Sequence, residues 1–121
     1  MQLAFADSEL GGAALEGGTL RIRFAAAAVQ RGRETGYLPG LDLELADAVV
    51  GGDLRDAFGR VLEGHLSDGI SRLAHIELPF DGPGAWRLSL ALAQGRTLVV
   101  DAKHVRVVPA PGAVFRPSFA C

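Results

Sequence analysis

Three histidines, His65, His75 and His104, are the side chains of this 121-residue chain best suited to hold a metal or move a proton near neutral pH. His65 and His75 flank the turn Ser67-Asp68-Gly69. In the hairpin that this turn implies, His75 stands opposite Val61 or Leu62, three to four residues along the strand from His65. At about 3.3 Å per residue that is roughly 10–13 Å, too far to share one metal with ligand bonds of about 2 Å. No metal site and no cofactor is expected.

Nucleophilic chemistry finds no better footing. Ser71, Ser89 and Ser118 lie outside any Gly-x-Ser-x-Gly elbow. The one cysteine, Cys121, is the last residue, where a nucleophile would be poorly held against the tolerance of about 0.5 Å that catalytic groups need. A lone cysteine makes no disulfide within the chain and no zinc site with two thiolates. It reads as the incidental thiol of a cytoplasmic protein, the sharper alternative being an intermolecular link or a reactive end. The carboxylate pairs Asp42/Glu44 and Asp53/Asp56 read as outer-face and capping charges. The glycine pairs at 11–12, 17–18 and 51–52 lack the helix, the Lys-Ser/Thr and the spacing of a phosphate loop, and read as turns. No catalytic residue is assigned.

The most site-like stretch is Arg31-Gly32-Arg33-Glu34-Thr35-Gly36-Tyr37, with two arginines and the only tyrosine. Arginine grips carboxylates and phosphates bidentately, and tyrosine stacks or donates. Arg31, Arg33 and Tyr37 are therefore candidates for ligand binding, together with the only tryptophan, Trp86. The competing reading is a solvated connection whose tyrosine folds back on the body.

The elements that position these groups read as strands. In Trp86–Ala93, Trp86, Leu88, Leu90 and Leu92 alternate with Arg87, Ser89, Ala91 and Ala93, the period of a strand with one buried face. Gln94-Gly95 permits a tight return, Thr97–Val100 reads as a central strand, Asp101-Ala102-Lys103 as a second reversal, and His104–Val108 as a third strand. Thr19–Phe24 alternates as cleanly, with continuation to about Val29 across the alanines at 25–28. Leu41–Leu45 matches it, so antiparallel pairing would set Arg21 and Arg23 against Asp42 and Glu44 on the outer face.

Gln2–Phe5 reads as a short first strand, Asp7–Gly18 as a glycine-broken loop that could flank a short strand at Ala13–Glu16, and Arg31–Gly40 as a polar loop. Asp53–Leu62 has helical spacing behind a capping Asp53, against which Gly59 argues, so it reads equally as a short helix or as an irregular loop entering the next strand. Val61–Leu66 and Ile70–Leu78 form the hairpin, and Pro79–Gly84 leads into the last strands. After Pro109 the tail loses its period but keeps Val114, Phe115 and Phe119, too apolar to be freely solvated. It is expected to lie extended on its own body or on a second subunit.

Seven to eight short strands with turns every 8–12 residues define an all-β chain, an antiparallel sandwich or barrel with one short helix at most, near 53–62. Its length fits a single domain, 1–121, with 109–121 as an extended tail. No apolar run reaches the ~18 residues of a membrane span, and the N-terminus lacks the positive region of a secretory signal. Net charge is −2, so nothing draws the chain as a whole to nucleic acid. Lys103 is the only lysine among many arginines, and with abundant Ala and Gly this points to a GC-rich bacterial genome.

Two functional readings follow. The first is a non-enzymatic binding or assembly module acting through its surface, as a homo-oligomer or with a protein partner, through the 109–121 tail. The alternative is a small barrel that binds or turns over a small apolar or acidic ligand inside, lined by Trp86, Phe80 or Phe58.

Overall fold

The alternation of buried and exposed residues that marks the sequence closes a sheet on itself. The computed structural model describes residues 1–118; Phe119 and Cys121, and with them the reading of a terminal thiol, lie outside the described residues. The strands are β1 (Gln2–Glu16), β2 (Thr19–Arg31), β3 (Glu34–Leu38), β4 (Leu41–Ala46), β5 (Val49–Gly51), β6 (Phe58–Ser67), β7 (Arg72–Leu73), β8 (His75–Glu77), β9 (Phe80–Leu92), β10 (Thr97–Pro109) and β11 (Arg116–Pro117). The fold is all-β. Six strands, in the order β1-β2-β4-β10-β9-β6 and back to β1, form a closed antiparallel barrel.

Inward positions are filled by large aliphatic side chains. Leu20, Ile22 and Phe24 of β2, Leu41, Leu43 and Leu45 of β4, Leu88 and Leu90 of β9, and Val100, Val105 and Val107 of β10 are fully buried. Each such burial contributes about 1.5–3 kcal/mol before the cost of ordering the chain. The expected pairing of β2 with β4 is present, with Arg21 opposite Glu44 and Arg23 opposite Asp42. These charges face each other in register without a direct ion pair among the described residues.

Several segments differ from the sequence reading. Asp7–Gly18 is not a loop: β1 continues to Glu16, and only Gly17 and Gly18 turn, both with positive φ (58° and 81°), as a tight hairpin turn of two residues requires. Arg31–Gly40 is not a loop either, since β3 lies within it. Gly36 does not interrupt that strand; a Cβ there would meet the Arg116 carbonyl oxygen and the Phe115 ring, so glycine is what admits the tail. The helix is a single 3-10 turn, Leu54–Asp56, behind Asp53, whose carboxylate accepts from the Arg55 N–H. Gly59 has φ 90°, which a helix does not tolerate, and Phe58–Ser67 is strand.

The other corrections concern strand direction. Asp101–Lys103 does not reverse the chain, because no glycine there supplies the left-handed φ of a tight turn. β10 runs on to Pro109, and between Ala102↔Trp86 and His104↔Pro83 its Lys103 stands opposite two residues of β9, Gly84 and Ala85, which form a bulge there with Gly84 at φ 100°. Pro79–Gly84 is a loop only to Pro79, since β9 begins at Phe80. The hairpin after Ser67 holds for two pairs, Leu66↔Leu73 and Ser67↔Arg72, after which the chain crosses to the free edge of β1, where Ile76 joins Leu3 in the core. His75 therefore stands opposite Ala4, not Val61 or Leu62. The described part of the tail lies on its own body, with Arg116↔Tyr37 and Pro117↔Gly36 paired. The Arg31 guanidinium sits 4.3 Å above the Phe115 ring.

Between Ala4↔Ala28 and Glu9↔Ala26, β1 carries Phe5–Ser8 where β2 carries only Ala27. Ser8 is the one buried polar residue among the described residues, and its hydroxyl bridges the bulge by donating to the Ala4 carbonyl and accepting from the Ala28 N–H, both at 2.8 Å. Phe5 drops into the barrel over Gly64, where a Cβ would lie 2.7 Å from the Phe5 Cβ and 2.7 Å from Leu90 Cδ2. Ser8→Ala leaves a buried N–H without its partner and is expected to lower the unfolding free energy by about 1–3 kcal/mol. Gly64→Ala is expected to cost about 1–3 kcal/mol by overpacking. Urea denaturation measures both, and unchanged midpoints would refute the account of the bulge.

Candidate functional site

Beyond the bulge, β1 and β2 leave the barrel and continue as the centre of a small sheet, β8-β1-β2-β3-β11. Its outward rows follow from register. One row runs His75, Ala4, Ala28, Tyr37, Arg116, and the next runs Glu77, Gln2, Gln30, Thr35. Alanine in the middle of the first row leaves the space that longer side chains would fill. His75 and Tyr37 stand on either side, so the face carries a trough of ≈ 330 Å³. Gln2, Gln30, Thr35 and Ser118 add neutral hydrogen-bonding groups to its lining, and the Ser118 N–H is itself spent on the Thr35 carbonyl at 2.8 Å.

Tyr37 divides this trough from a second hollow of ≈ 530 Å³ lined by Asp7, Glu9, Ala26 and Arg60. Asp7 lines both hollows. It sits at φ 69°, a conformation that non-glycine residues adopt at a cost in strain. The Arg60 Nη2 donates to its Oδ1 at 2.8 Å. This ion pair is thus internally compensated, and the groups facing a ligand are the Tyr37 ring, the His75 imidazole, the Thr35 hydroxyl and the amides of Gln2 and Gln30, the last also donating to the Gly32 carbonyl at 3.1 Å.

The four sequence candidates are not brought together. Tyr37 is in the trough. Arg31 is turned to Phe115 and to Glu34, 3.5 Å away. Arg33 is exposed in the β2–β3 turn, with no ion pair among the described residues. Trp86 lines a different cleft of ≈ 380 Å³ with Val49, Arg87, Asp101, Ala102 and Lys103. Its ring meets Phe80 edge-on at 5.7 Å, and its indole N–H donates to the Gly82 carbonyl at 3.0 Å. Phe80 and Trp86 are partly buried and pack against the edge of the core, and Phe58 is half exposed.

The three histidines go to three places: His65 beside the Arg72 guanidinium, His75 in the trough, His104 against Asp81. Among the described residues no three His, Cys, Asp or Glu side chains gather to hold a metal. Reasoning from sequence missed the juxtaposition of His75 with Ala4 and Ala28, because the Asp68-Gly69 turn pointed His75 at β6. The alanine run 25–28 inside a strand was the available signal for a floor of small residues.

Compared with known proteins, the chain matches no family model, no curated protein and no solved structure.

On the rim of the Trp86 cleft, the Arg87 guanidinium donates to both carboxylate oxygens of Asp101 (2.7 and 3.1 Å) and holds that carboxyl below its ordinary value of 3.8. A lowered carboxyl stabilises the fold above its unfolded pKa, and that contribution is lost as pH falls through the folded value. Asp101→Asn is accordingly expected to make stability less dependent on pH below about 4. Chemical denaturation from pH 2 to 6 measures this, and parallel curves for the two proteins would refute it.

Proposed function

We propose that this chain is a non-enzymatic binding or assembly module of a bacterial cytoplasm that works through its outer surface, with the trough between Tyr37 and His75 as its binding site. The observation that carries this reading is the contrast between the two sides of the same strands. Inside, Phe5, Phe24 and the leucines of β2, β4 and β9 occupy the space a ligand would need. Outside, Ala4 and Ala28 leave a floor with an aromatic wall and neutral polar ends. Such a floor suits a flat or extended partner group that stacks on Tyr37 and hydrogen-bonds to Gln2, Gln30 and Thr35. No net charge is selected, because Asp7 and Arg60 answer each other.

Short neutral amides and polyols, titrated into labelled protein, are expected to shift backbone amide resonances at residues 4, 28, 35, 37 and 75. Tyr37→Ala should weaken such binding by about tenfold, equivalent to ~1.4 kcal/mol. Shifts confined to inward positions such as Leu43 and Leu90, or no shifts at all, would overturn the reading.

A further inference from the structure

We propose that the hairpin tip at Ile70 and the cleft beside Trp86 together form a two-fold interface through which two copies of this chain associate. This face shares no residue with the trough lining, and the inference does not depend on the trough. Ile70 is 96% exposed, an extreme for a large aliphatic side chain. Its tip is held firmly. The Asp68 Oδ1 accepts from the N–H groups of Ile70 (2.9 Å) and Ser71 (2.6 Å), the Asp68 N–H donates to the Ser71 carbonyl (3.2 Å), and the Ser67 hydroxyl accepts from the Gly69 N–H (3.2 Å). A side chain presented on so fixed a turn loses little freedom when it docks.

The hole lies against the same turn, with Ser67, Asp68 and Gly69 in its lining. Gly69 itself borders the ≈ 380 Å³ cleft, whose walls are Trp86, Ala102 and Val49, the last 68% exposed. A knob and an apolar hole side by side on one face are complementary to the same face rotated by two-fold symmetry, so each copy's Ile70 enters the other's cleft. The rim carries matching charges. Lys103, opposite the bulge of β9, and Asp47, at φ 51° beside Val49, both border the cleft. Neither side chain has an ion pair or hydrogen bond among the described residues. Across the two-fold axis, Lys103 of one copy faces Asp47 of the other. Opposite unpaired charges flanking an apolar centre on one chain favour a second copy over an unrelated partner.

Sedimentation equilibrium on the full chain tests this, because Ile70, Lys103 and Asp47 are exposed and their replacement leaves the core untouched. The wild-type chain is expected at twice the 12.7 kDa chain mass. Ile70→Glu is expected to weaken the dimer by roughly a hundredfold. Lys103→Asp should weaken it on its own, and adding Asp47→Lys to the same chain should restore it, which a merely structural role for either residue would not do. A monomeric wild type, a dimer indifferent to Ile70→Glu, or no restoration by the double exchange would each overturn the proposal. Failure here would leave the resonance shifts at Tyr37 and His75 as they are, so the two readings fall separately.

Discussion

Closing the barrel rests on β1, which must serve three neighbours. Its whole length pairs with β2, its first residues also pair with β8, and Glu9–Gly11 pair with β6. A regular strand could not do this, because the two outer partners leave in different directions and the inward parity must be kept on both sides. The extra residues Phe5–Ser8 make the correction. They re-aim the strand, as bulges do, and place Phe5 over Gly64 in the centre. At either end of the bulge the Ala4 carbonyl and the Ala28 N–H are answered by one hydroxyl. Buried N–H and C=O groups must find partners, and here Ser8 supplies both donor and acceptor. Without that bridge the Ala28 N–H would be left unpaired beside the seam that makes a barrel out of a curved sheet.

The same bulge creates the surface of interest. Where β1 and β2 pass out of the barrel, their inward row still carries Leu3, Val29 and Ile76, while the outward row is alanine. One pair of strands thus has a filled side and a vacant side, and the vacant side inherits the rigidity of the filled one. That rigidity is what a binding face needs. It comes from packing rather than from any special feature of the ligand-facing residues.

Much of this was legible in the sequence. The alternation in Thr19–Phe24, Leu41–Leu45 and Trp86–Leu92 named the barrel strands, and the charges at Arg21, Arg23, Asp42 and Glu44 named one pairing and its register. What stayed hidden is what local pattern cannot encode. Gly11, Gly12 and Gly36 look like breaks, yet each is a place where the ladder continues past a bulge or a close neighbour. Asp101–Lys103 looks like a turn on its polar residues, yet it is continuous strand lying opposite a bulge that Gly84 and Ala85 make in β9. The Asp68-Gly69 signal was a true turn, but which strand the chain joins after it depends on an edge supplied by residues 2–4, some seventy positions away. Tyr37 could be chosen on type alone; its partner His75 could not, because only the sheet puts them on one face.

Because the seam joins the first strand to strands from the middle of the chain, this protein cannot finish its core as it emerges from the ribosome. The β1–β2 hairpin can form early from contacts close in sequence, but one edge of it must wait for residues 58–60 and 75–77, and the sheet on the other side for residues 104–109. An open strand edge beside apolar side chains is the sort of surface that pairs with other chains. Until residues 58–60 and 75–77 are made, β1 therefore carries an unpaired edge, and a factor that shelters growing chains would have most to do there.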